Sequence, residues 1–172
     1  LLWLNLVTDG APALALGSEK GDPDIMQYPP RPPDEPIINR TMLTGIILQT
    51  IAISAATLSA FAIGRNISLD LGETMAFVTL SVSELLRAYT ARSENVTVFK
   101  IGVFSNPMMN WAVLASLALI IAVVYVPFLQ PIFNTTAIDP IHWLMILPLI
   151  LLPSIVAELS KVIITRRKPK AE

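Results

Sequence analysis

"TMLTGIILQTIAISAATLSAFAIG", residues 41–64, carries no Asp, Glu, Lys, Arg or His from end to end. A hydrocarbon layer about 30 Å thick is crossed by about 20 residues of helix, so this run alone reads as a membrane span. A second uncharged run, "PMMNWAVLASLALIIAVVYVPFL", occupies residues 107–129. Two further runs are interrupted by charge: 74–91 by Glu84 and Arg87, and 141–164 by Glu158 and Lys161. Residues 1–17 open directly in an apolar run, without the basic start and small-residue cleavage site of a signal peptide. They are read as a fifth span, and the chain as a fragment of a longer membrane protein.

Composition agrees. Of 172 residues, 53% are hydrophobic and 15% charged, and mean hydropathy is +0.63. A soluble domain of this length carries more charge and breaks its apolar runs sooner. The net charge of -1 argues against a nucleic-acid partner, and the absence of cysteine excludes disulfides and thiolate metal sites. The expected fold class is therefore an all-α membrane protein, a bundle of five transmembrane helices in contact with lipid. His142, next to Trp143, is read as an interfacial residue rather than a ligand.

The spans leave connections at 18–40, 65–73, 92–106 and 130–140. If each span crosses once, alternate connections share a side. One side then holds Lys20, Arg31, Arg40, Arg87, Arg92, Lys100, Lys161, Arg166, Arg167, Lys168 and Lys170, and the other only Arg65. Basic residues accumulate on the cytosolic side of membrane proteins, so the chain is expected to be a multi-pass integral membrane protein with a cytosolic C-terminus. Arg87, Arg92 and Lys161 are expected to snorkel toward that surface. The 18–40 connection contains six of the fourteen prolines and five acids. Paired prolines hold backbone extended, which suits either a solvated linker or a stiff cytosolic strap against a soluble domain.

The first span departs from its surroundings. Within "NLVTDGAPALALG", residues 5–17, Asn5, Thr8 and Asp9 share one helical face, at spacings of three and four residues. Gly10 and Pro12 follow. Pro12 has no amide hydrogen for the Thr8 carbonyl, and Gly10 eases local unwinding. Side-chain and backbone oxygens gathered at one break suit a hard cation, and broken helices at membrane depth line protein or polar cavities. A carboxyl group at the bilayer centre costs about 2.5–3.5 kcal/mol on insertion scales, which makes an intramembrane acid a functional candidate. The bland alternative is a proline kink with Asp9 satisfied by a neighbouring helix. Glu84 is the second such acid. It either pairs along its helix with Arg87 or faces the bundle. Glu158 and Lys161, three residues apart, read as an ordinary interfacial ion pair.

"LLWLNLVTDGAPALALG" resembles the sixth transmembrane helix of P-type calcium-transporting ATPases of the sarco(endo)plasmic reticulum type. "DPDIM" and "PPRPPDEPII" resemble that family's cytosolic loop between helices six and seven, "SELLRAYTARSEN" its eighth helix, and "HWLMILPLILLP" its tenth. The resemblance covers essentially the whole chain, as helices six to ten. It implies that Asn5, Thr8, Asp9 and Glu84 are cation ligands, that Gly10 and Pro12 form the helix break, and that Asp22 and Asp24 belong to a coupling loop. It also implies calcium as the transported ion, with manganese or another cation as the alternative. Magnesium and ATP would be held by domains outside this chain, which on its own would be inactive. The implied partners are the pump's own preceding membrane helices, its cytosolic phosphorylation domain and the bilayer, in a plasma membrane if bacterial and an organelle membrane otherwise. A non-pumping channel or assembly module is the reading from another class.

Overall fold

The computed structural model describes residues 6, 10–21, 36, 38, 40–93 and 96–165. All regular structure among them is helical: α1 (Gly10–Gly17), α2 (Arg40–Arg65), α3 (Leu69–Thr90), α4 (Val98–Ile101), α5 (Pro107–Tyr125), α6 (Gln130–Phe133) and α7 (Pro140–Thr165). Three of these, α2, α5 and α7, contain stretches long and apolar enough to cross a membrane.

The helix α3 begins at Leu69, five residues before the apolar run from 74 that the sequence singles out. Its start is set by a cap rather than by hydropathy. Ser68 is extended, and its hydroxyl accepts from the Leu71 amide at 3.2 Å, satisfying a donor that has no partner within the helix. The turn before it is tight, with the Ile67 and Ser68 amides both donating to the Gly64 carbonyl. This turn folds α3 back along α2, and Gly64 and Gly72 meet at the crossing. A Cβ on Gly64 would lie 2.7 Å from Gly72 Cα, and one on Gly72 would lie 2.8 Å from the Arg65 nitrogen. Two glycines let the backbones approach this closely, as small residues do at membrane helix crossings.

At the centre of the bundle, α3 packs against α1, α2, α5 and α7. That position accommodates its mixed composition, because polar side chains of a membrane bundle face its interior and bond across helices there. Leu71, Met75, Val78 and Leu85 of α3 form the main core with Ala60, Ile120, Val124, Ile146 and Ile150. Its buried hydroxyls are largely satisfied locally, Thr74 donating to the Asp70 carbonyl and Ser81 to Phe77. Ser83 instead donates across the interface to the Ile150 carbonyl of α7. The outward faces of α2, α5 and α7 present Ile51, Leu58, Trp111, Leu114, Leu144 and Ile163. Such extensive exposed apolar surface is unlike that of a soluble monomer and fits lipid as the surrounding solvent. In α7, Pro148 and Pro153 lie inside the helix and deprive the Leu144 and Leu149 carbonyls of donors, a loss tolerated in membrane helices.

The connections sort to two ends. At one end the 126–139 segment packs on the start of α3, with the Thr136 amide donating to the Thr74 hydroxyl. Tyr125 donates to the Ile138 carbonyl at 2.6 Å, and the Trp143 indole donates to Tyr125 at 2.6 Å. At the opposite end the residues after α1, the 92–106 connection and Lys161 of α7 meet.

Candidate ion site and its anchor

Pro12, Ala15 and Leu16 stand three and four residues apart, so they share one face of α1. Pro12 and Ala15 are buried on it, Ala15 against Met109 and Ala112 of α5. Within Gly10–Gly17, Pro12 lies in the first turn, where a missing N–H costs no intrahelical bond. Pro12, Ala13 and Leu16 form one wall of a cavity of about 310 Å³, and Glu84, Arg87, Ala88 and Ala91 of α3 form the other. Glu84 is half-buried there. The sequence leaves Glu84 either beside Arg87 or facing the bundle; the structure puts both on the wall of the cavity shared with α1.

Of the other site residues expected from the sequence, Gly10 and Pro12 are in α1. Asn5, Thr8 and Asp9, and Asp22 and Asp24 of the loop, lie outside the described residues. Among the described residues no group of three or more His, Cys, Asp or Glu gathers as a metal site. His142 has a ring nitrogen 4.0 Å from the Asp139 carboxylate near the start of α7.

Below the cavity, α1 is held by a polar network that sequence reading missed. The Arg92 side chain is 0% exposed. Its Nε and Nη2 each donate to a Glu19 carboxylate oxygen at 2.8 Å. Nη1 donates to the Gly102 and Val103 carbonyls, and Nη2 also to the Ser105 hydroxyl at 2.6 Å. All five guanidinium N–H donors therefore have acceptors. Asn106 completes the network. Its amide donates to the Ala15 carbonyl at 3.2 Å and to Glu19 at 2.9 Å, while its oxygen accepts from the Met109 amide and caps α5. The Arg92 hydrogen bonds hold the Glu19 carboxyl below its ordinary value of 4.5 against the opposing effect of burial, with Asn106 adding to the lowering.

A second buried cation sits nearby. Lys161 is 7% exposed and donates to the Thr90 carbonyl at the end of α3 and, at 2.8 Å, to Glu158. Glu158 in turn accepts from the Val98 amide at the start of α4. The expected Glu158–Lys161 pair forms, but it is a buried clasp on two helix ends rather than a solvated pair. For Arg92 and Lys161 the snorkelling expectation is corrected. Both heads turn inward, because helix-end carbonyls and a carboxylate there replace the water they would otherwise seek. No local signal links Glu19 to Arg92, which are 73 residues apart.

Outward-facing apolar helices around a polar, packed central helix define the class: a polytopic α-helical integral membrane protein. The family described as "Cation transporting ATPase, C-terminus" matches residues 1–163, and the chain belongs to it. It is similar to a "Calcium-transporting ATPase" of Bacillus subtilis (strain 168), 38% identical over 98% of this chain and 19% of the relative. A "Calcium-transporting ATPase 1" of Schizosaccharomyces pombe is 39% identical over 80% of this chain and 16% of the relative. A "Calcium-transporting ATPase type 2C member 1" of Homo sapiens is 34% identical over 94% of this chain and 18% of the relative. The chain thus spans less than a fifth of the length of these relatives.

Proposed function

We propose that this chain is the C-terminal membrane part of an ATP-driven calcium pump, supplying part of an intramembrane cation site and a cytosolic coupling loop. Its relatives bear the name of calcium-transporting ATPases. The observation that carries the site reading is the cavity walled by Glu84 of α3 and Pro12 of α1. It brings Glu84 against the helix that follows Asn5, Thr8 and Asp9 in the chain. In this reading the bundle has five spans, including residues 1–17 and α3, with the C-terminus in the cytosol and Gly10 and Pro12 at the break.

Asp9 and Glu84 supply carboxylate oxygens, and Asn5 and Thr8 neutral ones. Such an all-oxygen set suits calcium, with manganese the second choice. Phosphorylation in domains outside this chain, where ATP and magnesium bind, rearranges the helices and loosens this coordination. The 18–40 connection, with Asp22 and Asp24, carries the movement between the phosphorylation domain and α1. The relatives span more than one type of calcium-transporting ATPase, and Thr8 together with Glu84 is compatible with a two-site pump of the sarco(endo)plasmic reticulum type, with the number of ions per cycle left open.

The test is calcium-dependent phosphorylation from ATP in the full-length pump. Asp9→Asn abolishes it, and Glu84→Gln raises the calcium concentration it requires. Undiminished phosphoenzyme in Asp9→Asn at ordinary calcium refutes the assignment of the site. Phosphoenzyme driven by manganese at lower concentrations than calcium changes the ion.

A further inference from the structure

A cation site selects by geometry. Calcium–oxygen distances span only about 2.3–2.6 Å, and a ligand helix that drifts by a fraction of an ångström weakens the site unless supporting residues hold it. The helix that follows Asn5, Thr8 and Asp9 in the chain ends at Gly17, and the buried network around Arg92 fixes that end. Glu19, two residues past α1, receives both arms of a guanidinium that is 0% exposed, and Asn106 draws in the Ala15 carbonyl at 3.2 Å. The other Arg92 donors end on the 102–105 segment, which leads into the cap of α5. The end of α1 is thus joined to the connection between α3 and α5, and α3 carries Glu84.

We infer that Arg92 is a positioning residue of the cation site: through Glu19 it locks the cytosolic end of α1 to the 92–106 connection, so that α1 and α3 keep their spacing across the cavity. This rests on the pump reading above. The lock also selects which movement of α1 transmits force. With its cytosolic end held, a pull from the 18–40 connection reaches the ligand positions by tilting or unwinding α1 near Gly10, not by sliding the helix along its axis. Arg is required chemically, because a Lys ammonium has three donors and no planar fork to match the carboxylate.

The experiment measures the calcium concentration for half-maximal phosphorylation from ATP, K0.5, in the full-length pump, with the thermal midpoint of each variant alongside. Arg92→Gln and Glu19→Gln raise K0.5 by about tenfold or more, the scale seen when partners behind metal ligands are removed. Arg92→Lys gives a smaller rise. Ser105→Ala, which removes one acceptor at an exposed position, gives about threefold and keeps the test available if the other variants fail to accumulate. A merely structural role lowers the thermal midpoint and the phosphoenzyme yield but leaves K0.5 in place. K0.5 within twofold of the parent in Ser105→Ala and in every other variant that accumulates overturns the inference alone. A parent that forms no calcium-dependent phosphoenzyme overturns the pump reading, and the inference with it.

Discussion

Replacing Gly64 by alanine isolates the α2–α3 crossing from everything else in the bundle. The added Cβ would lie 2.7 Å from Gly72 Cα, 2.8 Å from Gly72 N and 2.9 Å from Met75 Sδ. Carbon atoms in good contact sit about 3.5–4.0 Å apart, so the helices must separate by the better part of an ångström. Two of the three neighbours are backbone and cannot turn aside. Met75, 0% exposed, is hemmed in by the core. Parting the helices would also loosen Ala60 and Leu71, which belong to the same core.

Overpacking of this kind costs about 1–3 kcal/mol, and a backbone clash puts Gly64→Ala at or above the top of that range. Helix propensity offsets at most about 1 kcal/mol, and less this close to the end of α2. The net expectation is destabilisation by about 2 kcal/mol. With the 172 residues as the unfolding unit, that lowers the thermal midpoint by about 4–8 °C. Heating the purified protein in detergent and following the loss of the monodisperse peak by size-exclusion chromatography measures it. Gly45→Ala is the control, because nothing lies within 4 Å of a Cβ at that position; its midpoint stays the same or rises slightly. A Gly64→Ala midpoint equal to or above the parent's would refute the close-crossing argument.

Lys161→Met strands the Glu158 carboxylate in a largely buried setting and costs about 3–5 kcal/mol, whereas Lys161→Met with Glu158→Gln recovers most of that loss; midpoints of the two singles and the double supply the coupling energy. The Glu19 carboxyl, lowered by its Arg92 bonds, stabilises the fold above its ordinary value of 4.5, and that contribution disappears as pH falls through the depressed value. Melting curves between pH 6 and about 3 should therefore have a steeper acid limb in the parent than in Arg92→Gln.

Much of the helical layout is legible in the residues themselves. The runs at 41–64, 107–129 and 141–164 coincide with α2, α5 and α7 because length and apolarity are local properties that a bilayer reads directly. The last residues of the 107–129 run fall outside α5, since Pro127 cannot extend the helix. The early start of α3 was also open to reading, through Ser68, but hydropathy masked it. On the candidate site, an acid inside an apolar run and the family resemblance put Glu84 forward, and the structure places it on a cavity shared with α1. The clasp escaped notice because Arg92 and Lys161 looked like the usual basic residues of a cytosolic membrane edge.

Run length, charge asymmetry and the Asn5–Thr8–Asp9 spacing are consequences of one-dimensional order, so the chain alone was enough to set its class as a helical membrane protein and to nominate candidate residues for an ion site. Which buried charge meets which acceptor is different. Glu19 and Arg92 are brought together only after α1, the 92–106 connection and α5 have packed. Their bond exists because burial removes the water that would otherwise solvate each of them separately. Periodicity carries no information about that pairing, and it is the pairing that ties down the end of α1.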